Sequence, residues 1–293
     1  MYEILMLLES IRQQFGQIWL YWAVGLAAGS LVSVFLSQRI AGKMAALASG
    51  SFLLPLSAAS FLGLVSPLCM YGTVPVIAAL GKKGVPQHLL AAFMVSSILL
   101  NPNIFLFSFA LGVNIALARA GLCFLSGILC GILVLRFFNS KKLFSLERFS
   151  EPGGRRRKAF FTDLFKAFRI TAPYMLFGIT LAAVFERYVP QDLIAGMFGS
   201  NKALGVLFAA TVSVPMYACG GGTIPLLRMW MHSGMGSGDA MAFMLSGPAL
   251  KINNLSALKA VLPGRYFLLY LAYSLAFALL AGWTIELILF MMI

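Results

Sequence analysis

The chain has 293 residues, of which 60% are hydrophobic and 11% charged, and its 22 Lys and Arg against 9 Asp and Glu leave a formal charge of +13. Soluble domains carry about 25% charged residues, so at a mean hydropathy of +0.91 one soluble core could not cover this apolar surface, and lipid must solvate the outside of the helices. The basic residues fall in loops between apolar stretches, the positive-inside pattern, so the charge reads as a topology signal and no nucleic-acid partner is expected.

Residues 1–8 carry Glu3 and lack a basic leader region, so the expectation is that the first span, not a cleavable signal peptide, directs insertion. A span needs about 20 predominantly apolar residues. The expected segments of the first half are 15–38, 44–65, 67–80, 87–111 and 114–138. A basic stretch follows with Lys141, Lys142, Arg148, Arg155, Arg156, Arg157 and Lys158, and it holds the flexible run Glu151-Pro152-Gly153-Gly154. The expected segments of the second half are 164–188, 203–214, 219–231, 237–258 and 266–290. The chain thus divides into a first membrane repeat, 1–138, a basic cytoplasmic linker loop, 139–163, and a second membrane repeat, 164–293.

The halves are related by a constant shift of 150 residues. Cys69-Met-Tyr-Gly-Thr73-Val-Pro75 aligns with Cys219-Gly-Gly-Gly-Thr223-Ile-Pro225. Gly84 meets Gly234, Ala92-Phe93-Met94 meets Ala242-Phe243-Met244, and Ser96, Leu100 and Asn103 meet Ser246, Leu250 and Asn253. Over 69–103 this makes 11 identities in 35 ungapped positions. Five segments per half is an odd number, so the second half enters the membrane with inverted topology. With the central loop inside, Arg39, Lys43, Lys82, Lys83, Arg136, Lys259 and Arg265 fall inside and the N-terminus outside, whereas Arg187 and Lys202 do not fit. Four spans per half, with the Cys segments re-entrant, accommodate the hydropathy as well. The expected fold is an all-α polytopic membrane protein of two inverted repeats with discontinuous helices at the centre, an architecture that places a transport site near mid-membrane.

The repeated segment concentrates helix breakers. Pro75 and Pro225 should interrupt the short Cys-bearing elements. Gly220, Gly221 and Gly222 allow a bend or close backbone approach to a ligand. Asn101-Pro102-Asn103 in one half and Gly247-Pro248 through Asn253-Asn254 in the other should break the next helices. Backbone groups freed in lipid must be covered by protein or line a wet cavity, so these breaks point to a polar pocket between the halves. Its candidate lining is Cys69, Thr73, Pro75, Asn101, Asn103, Cys219, Gly220, Gly221, Gly222, Thr223, Pro225, Pro248, Lys251, Asn253 and Asn254. Ordinary kinks filled by neighbouring helices are the plainer alternative.

Cys69 and Cys219 read either as buried small hydrophobes or as thiolates toward a soft centre such as trivalent arsenic or Cu(I). Cys123 and Cys130, seven apart on one helix face, read as packing. Thr73 and Thr223 can cap a break or touch substrate. Lys251 stands in the place of Asn101, and an intramembrane Lys is a functional hypothesis, for charge compensation or proton coupling, with snorkelling to the interface as the alternative. The chain carries no phosphate-binding loop of the form G-x-x-x-x-G-K-[ST] and no convergent catalytic groups: two His, and Asp163, Glu186, Asp192, Asp239 and Glu286 mostly near span ends. An ATP-driven pump or a membrane-embedded enzyme is therefore not the expectation, and no cofactor is expected.

Pro215-Met-Tyr-Ala-Cys219-Gly-Gly-Gly-Thr-Ile-Pro225, followed by Ala242-Phe-Met-Leu-Ser-Gly247-Pro248-Ala-Leu-Lys251-Ile-Asn253-Asn-Leu, resembles the predicted-permease family that includes ArsP, the efflux permease for trivalent organoarsenicals. The resemblance covers both halves. The Cys-Ser-Cys-like triplet that many members carry stands here as Cys69-Met70-Tyr71, one Cys replaced by Tyr. The resemblance implies a secondary-active permease of the inner (plasma) membrane, exporting small thiophilic solutes such as trivalent organoarsenicals, with protons as a candidate coupling ion. Soft metal ions or small sulfur compounds are the alternative substrates of the same site.

Overall fold

The computed structural model describes residues 53–66, 68, 70–138, 143–145, 202–217, 223–232, 234–259 and 261–291, with scattered residues between 9 and 27 and between 160 and 180. The expected segments 15–38 and 164–188 therefore lie mostly outside the described residues. Among these residues there is no strand. In the first half the helices are α1 (Leu53–Val65), α2 (Met70–Lys82), α3 (Gln87–Leu99), α4 (Pro102–Ser108) with a 3₁₀ turn Phe109–Leu111, and α5 (Val113–Phe138). In the second they are α6 (Lys202–Met216), α7 (Thr223–His232), α8 (Ser237–Leu250), α9 (Ile252–Lys259) and α10 (Gly264–Met291). Shifting the first set by 150 residues superposes its bounds on the second to within a few residues, so the repeat read from identities is also a repeat of elements.

Matched backbone chemistry sets the turns. Gly84 and Gly234 adopt φ of +82° and +107°, a left-handed conformation that side-chain-bearing residues disfavour. Each closes the helix before it in the same way: Val85 N–H donates to the Leu80 carbonyl at 3.2 Å, and Met235 N–H to the Trp230 carbonyl at 2.9 Å. The left-handed residue after the helix end lets the chain reverse and satisfies a terminal carbonyl.

α3 and α8 form the centre. Every residue from 89 to 99 and from 238 to 250 is buried, as expected of a helix surrounded on all sides. α1 and α5 pack on α3, α6 and α10 pack on α8, and α8 meets α3 and α5 across the two halves. Small residues bring these helices close. A Cβ at Gly127 of α5 would stand 3.0 Å from the Ala92 carbonyl oxygen, and one at Gly282 of α10 would stand 2.9 Å from that of Gly238. This is the close packing that membrane helices use in place of a hydrophobic driving force.

The outer faces of the long helices are apolar and exposed: Leu117, Leu125, Leu129, Leu133 and Phe137 on α5, and Leu268, Leu269, Leu280, Leu287 and Ile288 on α10. Such continuous apolar faces are shielded by lipid in a membrane protein. Among the described residues, Val113–Phe138 and Gly264–Ile288 are each long and apolar enough to cross a membrane, and Gln87–Leu99 with Ile104–Leu111 makes a third candidate, bent by 48°. Over the described residues α1, α2, α6 and α7 have 13, 13, 15 and 10 residues, fewer than a full span needs. Residues 44–52 of the expected 44–65 segment lie outside the described residues.

Segments 87–111 and 237–258 are each two helices, divided at 100–101 and at Lys251, where the helix breakers place a break. Two other expectations are modified. Pro75 and Pro225 do not divide their elements: Pro75 lies within the continuous α2, and Pro225 in the first turn of α7, where a missing N–H costs no intrahelical bond. Within the basic linker, Leu143 and Phe144 are buried, Leu143 N–H donates to Gln87 Oε1 of the first half and Ser145 N–H to the Val261 carbonyl of the second at 2.8 Å, so this part of 139–163 is docked against both halves.

Candidate functional site at the helix breaks

The first break is made by local chemistry. Leu100 and Asn101 are extended, with φ of −146° and −130°. Pro102 begins α4, and the Asn101 Oδ1 accepts from Ile104 N–H at 2.9 Å. This is an Asn N-cap followed by Pro at N1, a strong local start signal. The second break falls at the matched position, where Lys251 replaces Asn101. Lysine has no acceptor and cannot reproduce that cap. The groups freed here are satisfied from elsewhere: Asn254 Nδ2 donates to the Pro248 carbonyl at 2.6 Å and Tyr270 Oη to the Ala249 carbonyl at 3.1 Å.

Pro248 lies inside α8 and has no N–H to give to the carbonyl of Met244 one turn earlier. That carbonyl is filled from the other half of the molecule, by Nη2 of Arg119 on α5 at 3.1 Å. Arg119 is fully buried. Its Nη1 donates to Ser108 Oγ at 2.8 Å and contacts the Met244 sulfur at 3.5 Å, and Nη2 also reaches Tyr217 Oη at 3.4 Å. Ser108 donates in turn to the Ile104 carbonyl at 2.7 Å. Tyr217 lies against Gly247 so closely that a Cβ there would overlap its ring.

A second set of buried hydroxyls lines the packing beside the breaks. Thr73 Oγ1 and Ser97 Oγ are 2.9 Å apart, with Ser66 Oγ 3.2 Å from Ser97. In the second half Ser213 and Ser246 are 2.6 Å apart. The matched Ser96 and Ser246 both back-bond to the carbonyl four residues earlier, at 2.7 and 2.6 Å.

The halves cross at these points. α2, which follows Cys69 and carries Thr73 and Pro75, packs on α9 of the second half; α7, which carries Thr223 and Pro225, packs on the 3₁₀ turn after α4 of the first. Of the sequence candidates, Asn101, Pro248, Lys251 and Asn254 stand at or beside the breaks, and Thr73 and Thr223 are buried in the crossing helices. The backbones of Asn103 and Asn253 lie in α4 and α9. Cys69, Cys219, Gly220, Gly221 and Gly222 lie outside the described residues. Cys123 is fully buried on α5, one turn beyond Arg119, and Cys130 is half-buried and lines an apolar cavity of about 420 Å³ with Tyr270 and Tyr273.

Reading the sequence for motifs passed over Arg119 and Tyr217. A signal for Arg119 was present: it is the sole charge between Val113 and Arg136, and a charge inside a span is a functional candidate by default. Nothing local marks Tyr217 or Tyr270 as its partner or as a carbonyl donor.

Comparison with known proteins adds a family. Residues 2–287 match the protein-family model ArsP_1, described as a predicted permease. A UPF0718 protein of Methanocaldococcus jannaschii is 28% identical over 132 residues, 45% of this chain and 36% of that protein, so that match spans about a third of the relative. The UPF0718 protein YcgR of Bacillus subtilis is 23% identical over 87% of this chain and 88% of its own length. A Streptococcus mutans protein named as a two-component membrane permease complex subunit is 24% identical over 73% of this chain and 74% of its own. No solved structure matches.

Proposed function

We infer from the ArsP_1 family of predicted permeases, to which the chain belongs over residues 2–287, that it is a secondary-active permease of the cell membrane whose solute site lies at the paired helix breaks. The observation that carries this reading is the recurrence of a break at equivalent positions, α3–α4 and α8–α9, in two helix sets that cross one another. Broken helices in lipid are tolerated where the freed backbone is covered by protein or lines a cavity, and paired breaks at a repeat interface are where secondary transporters bind solute.

In this reading the repeats are inverted, the 139–163 loop is cytoplasmic and the N-terminus external. Rocking of one half against the other alternates access to the site. The solute is small and thiophilic, with trivalent methylated or aromatic arsenicals as the named class. Cys219, with Cys69, holds it transiently, since thiolates favour soft centres. Gly220, Gly221 and Gly222 let the backbone approach. Protons drive export; among the described acids, Asp239 supports this role, being buried at the start of α8 where its carboxylate accepts from Gly236 N–H at 3.1 Å and Glu286 of α10 accepts from Gly238 N–H at 3.2 Å. The protein performs no covalent chemistry on the solute.

The test is uptake of methylated trivalent arsenic into everted vesicles, with and without a proton gradient, for wild type and Cys219→Ala. Gradient-dependent accumulation that disappears in Cys219→Ala at equal protein level supports the thiophilic exporter. Absence of accumulation by well-expressed wild type removes the arsenical and leaves the permease reading to other solutes.

A further inference from the structure

Arg119 has five N–H donors, and its contacts among the described residues are all to uncharged groups: a serine hydroxyl, a thioether, a carbonyl, a phenol and the Cys123 thiol one turn on. Its Nε–H is buried and finds no acceptor at hydrogen-bond geometry among the described residues. Among the described residues no carboxylate lies within ion-pair distance of this guanidinium, and the same holds for Lys251, which is 6% exposed at the α8–α9 break. Among the described residues, then, these two buried cations have no counter-charge. Burying an uncompensated charge costs several kcal/mol, more than a packing role requires. Covering the Met244 carbonyl needs one N–H, which a neutral amide supplies. The full positive charge and the spare Nε–H are surplus to that task. Lys251 also precedes the first residue of α9, where the positive end of the helix dipole adds to its own charge.

We propose that the solute presents an anionic group, a carboxylate or a sulfur oxyanion, to the junction of the halves, where the Arg119 guanidinium binds it through Nε–H and Lys251 supplies further positive potential. The inference deepens the permease reading and rests on it. It selects among the thiophilic candidates: a bare soft metal cation is repelled by two buried positive charges, whereas a small anionic sulfur compound, or an organoarsenical carrying an acidic group, is attracted. The pairing is charge-assisted, about twice as strong as a neutral hydrogen bond, and it supplies a counter-charge that the described residues do not.

The test uses the full chain purified into lipid nanodiscs. The unfolding midpoint is followed against acetate and methanesulfonate, with acetamide and dimethyl sulfone as neutral isosteres, sodium chloride holding ionic strength constant. Saturable stabilisation by at least one anion and not by its isostere is expected. Its apparent affinity should fall about ten-fold in Arg119→Gln, the loss of one charge-assisted contact, and fall less in Arg119→Lys, which keeps the charge. Equal responses to anions and isosteres overturn the proposal, as does an Arg119→Gln protein that is monodisperse and binds as wild type does. If Arg119→Gln does not fold, the isostere comparison on wild type and on Arg119→Lys decides. Counterflow of the same anions in proteoliposomes separates the two readings. Charge-selective binding without counterflow removes the permease and keeps the site; counterflow without charge selection removes the anionic site and keeps the permease.

Discussion

Nη2 of Arg119 donates to the carbonyl oxygen of Met244 at 3.1 Å, the carbonyl that Pro248 leaves without its helical donor. A proline in one repeat and an arginine in the other thus form one unit. It fastens the last turns of α8 to α5 while holding a positive charge at the junction.

The unit makes a double-mutant prediction. Arg119→Met leaves the Met244 carbonyl buried and unpaired, a cost of about 1–3 kcal/mol. In a Pro248→Ala background, residue 248 regains an N–H that can reach that carbonyl, and the cost of Arg119→Met should be smaller. Unfolding midpoints of the four proteins in nanodiscs measure the coupling; strictly additive effects would show that the two residues act independently.

The two breaks differ in their caps, and the difference can be exchanged. Asn101→Ala removes the acceptor for Ile104 N–H and should destabilise by about 1 kcal/mol. Lys251→Asn gives α9 the cap that Asn101 gives α4 and should stabilise by a similar amount, while lowering the affinity for an anionic solute. A stability gain accompanied by a binding loss is the expected signature, read from thermal unfolding with and without methanesulfonate.

Gly247 accommodates the ring of Tyr217, which in turn faces Arg119. Gly247→Ala should displace Tyr217, cost about 1–3 kcal/mol as an overpacked contact, and reduce transport more than Tyr217→Phe does. Tyr217→Phe keeps the ring and removes the hydroxyl that lies 3.4 Å from Arg119. Initial rates in everted vesicles at equal protein level rank the two variants.

Asp239→Asn should leave solute binding intact and abolish the dependence of vesicle uptake on the proton gradient, because the group proposed to carry the proton is gone. Uptake that remains gradient-driven in this variant assigns the coupling elsewhere.

Much of the architecture was legible because it is written locally. The apolar stretches and the break at Leu100–Asn101 follow from residues adjacent in the chain, and the repeat from identities at a constant shift of 150. The segment bounds 114–138 and 266–290 lie within two residues of α5 and α10 at each end. Hydropathy also determined the solvent, since only lipid accommodates the exposed leucines of those helices.

What the tertiary structure alone decided is how the freed groups are satisfied. Pro248 is a helix breaker by local rules, yet α8 continues through it to Leu250, and Arg119, 125 residues from Met244, fills the vacated Met244 carbonyl. The division of α8 from α9 falls at Lys251, with Asn254 and Tyr270 covering the carbonyls before it. The crossing of α2 on α9 and of α7 on the turn after α4 likewise has no local signal. Helix breakers and hydropathy act over one turn of chain, whereas a donor reaching a carbonyl across a packed interface is set by which helices meet, and that is a property of the whole fold.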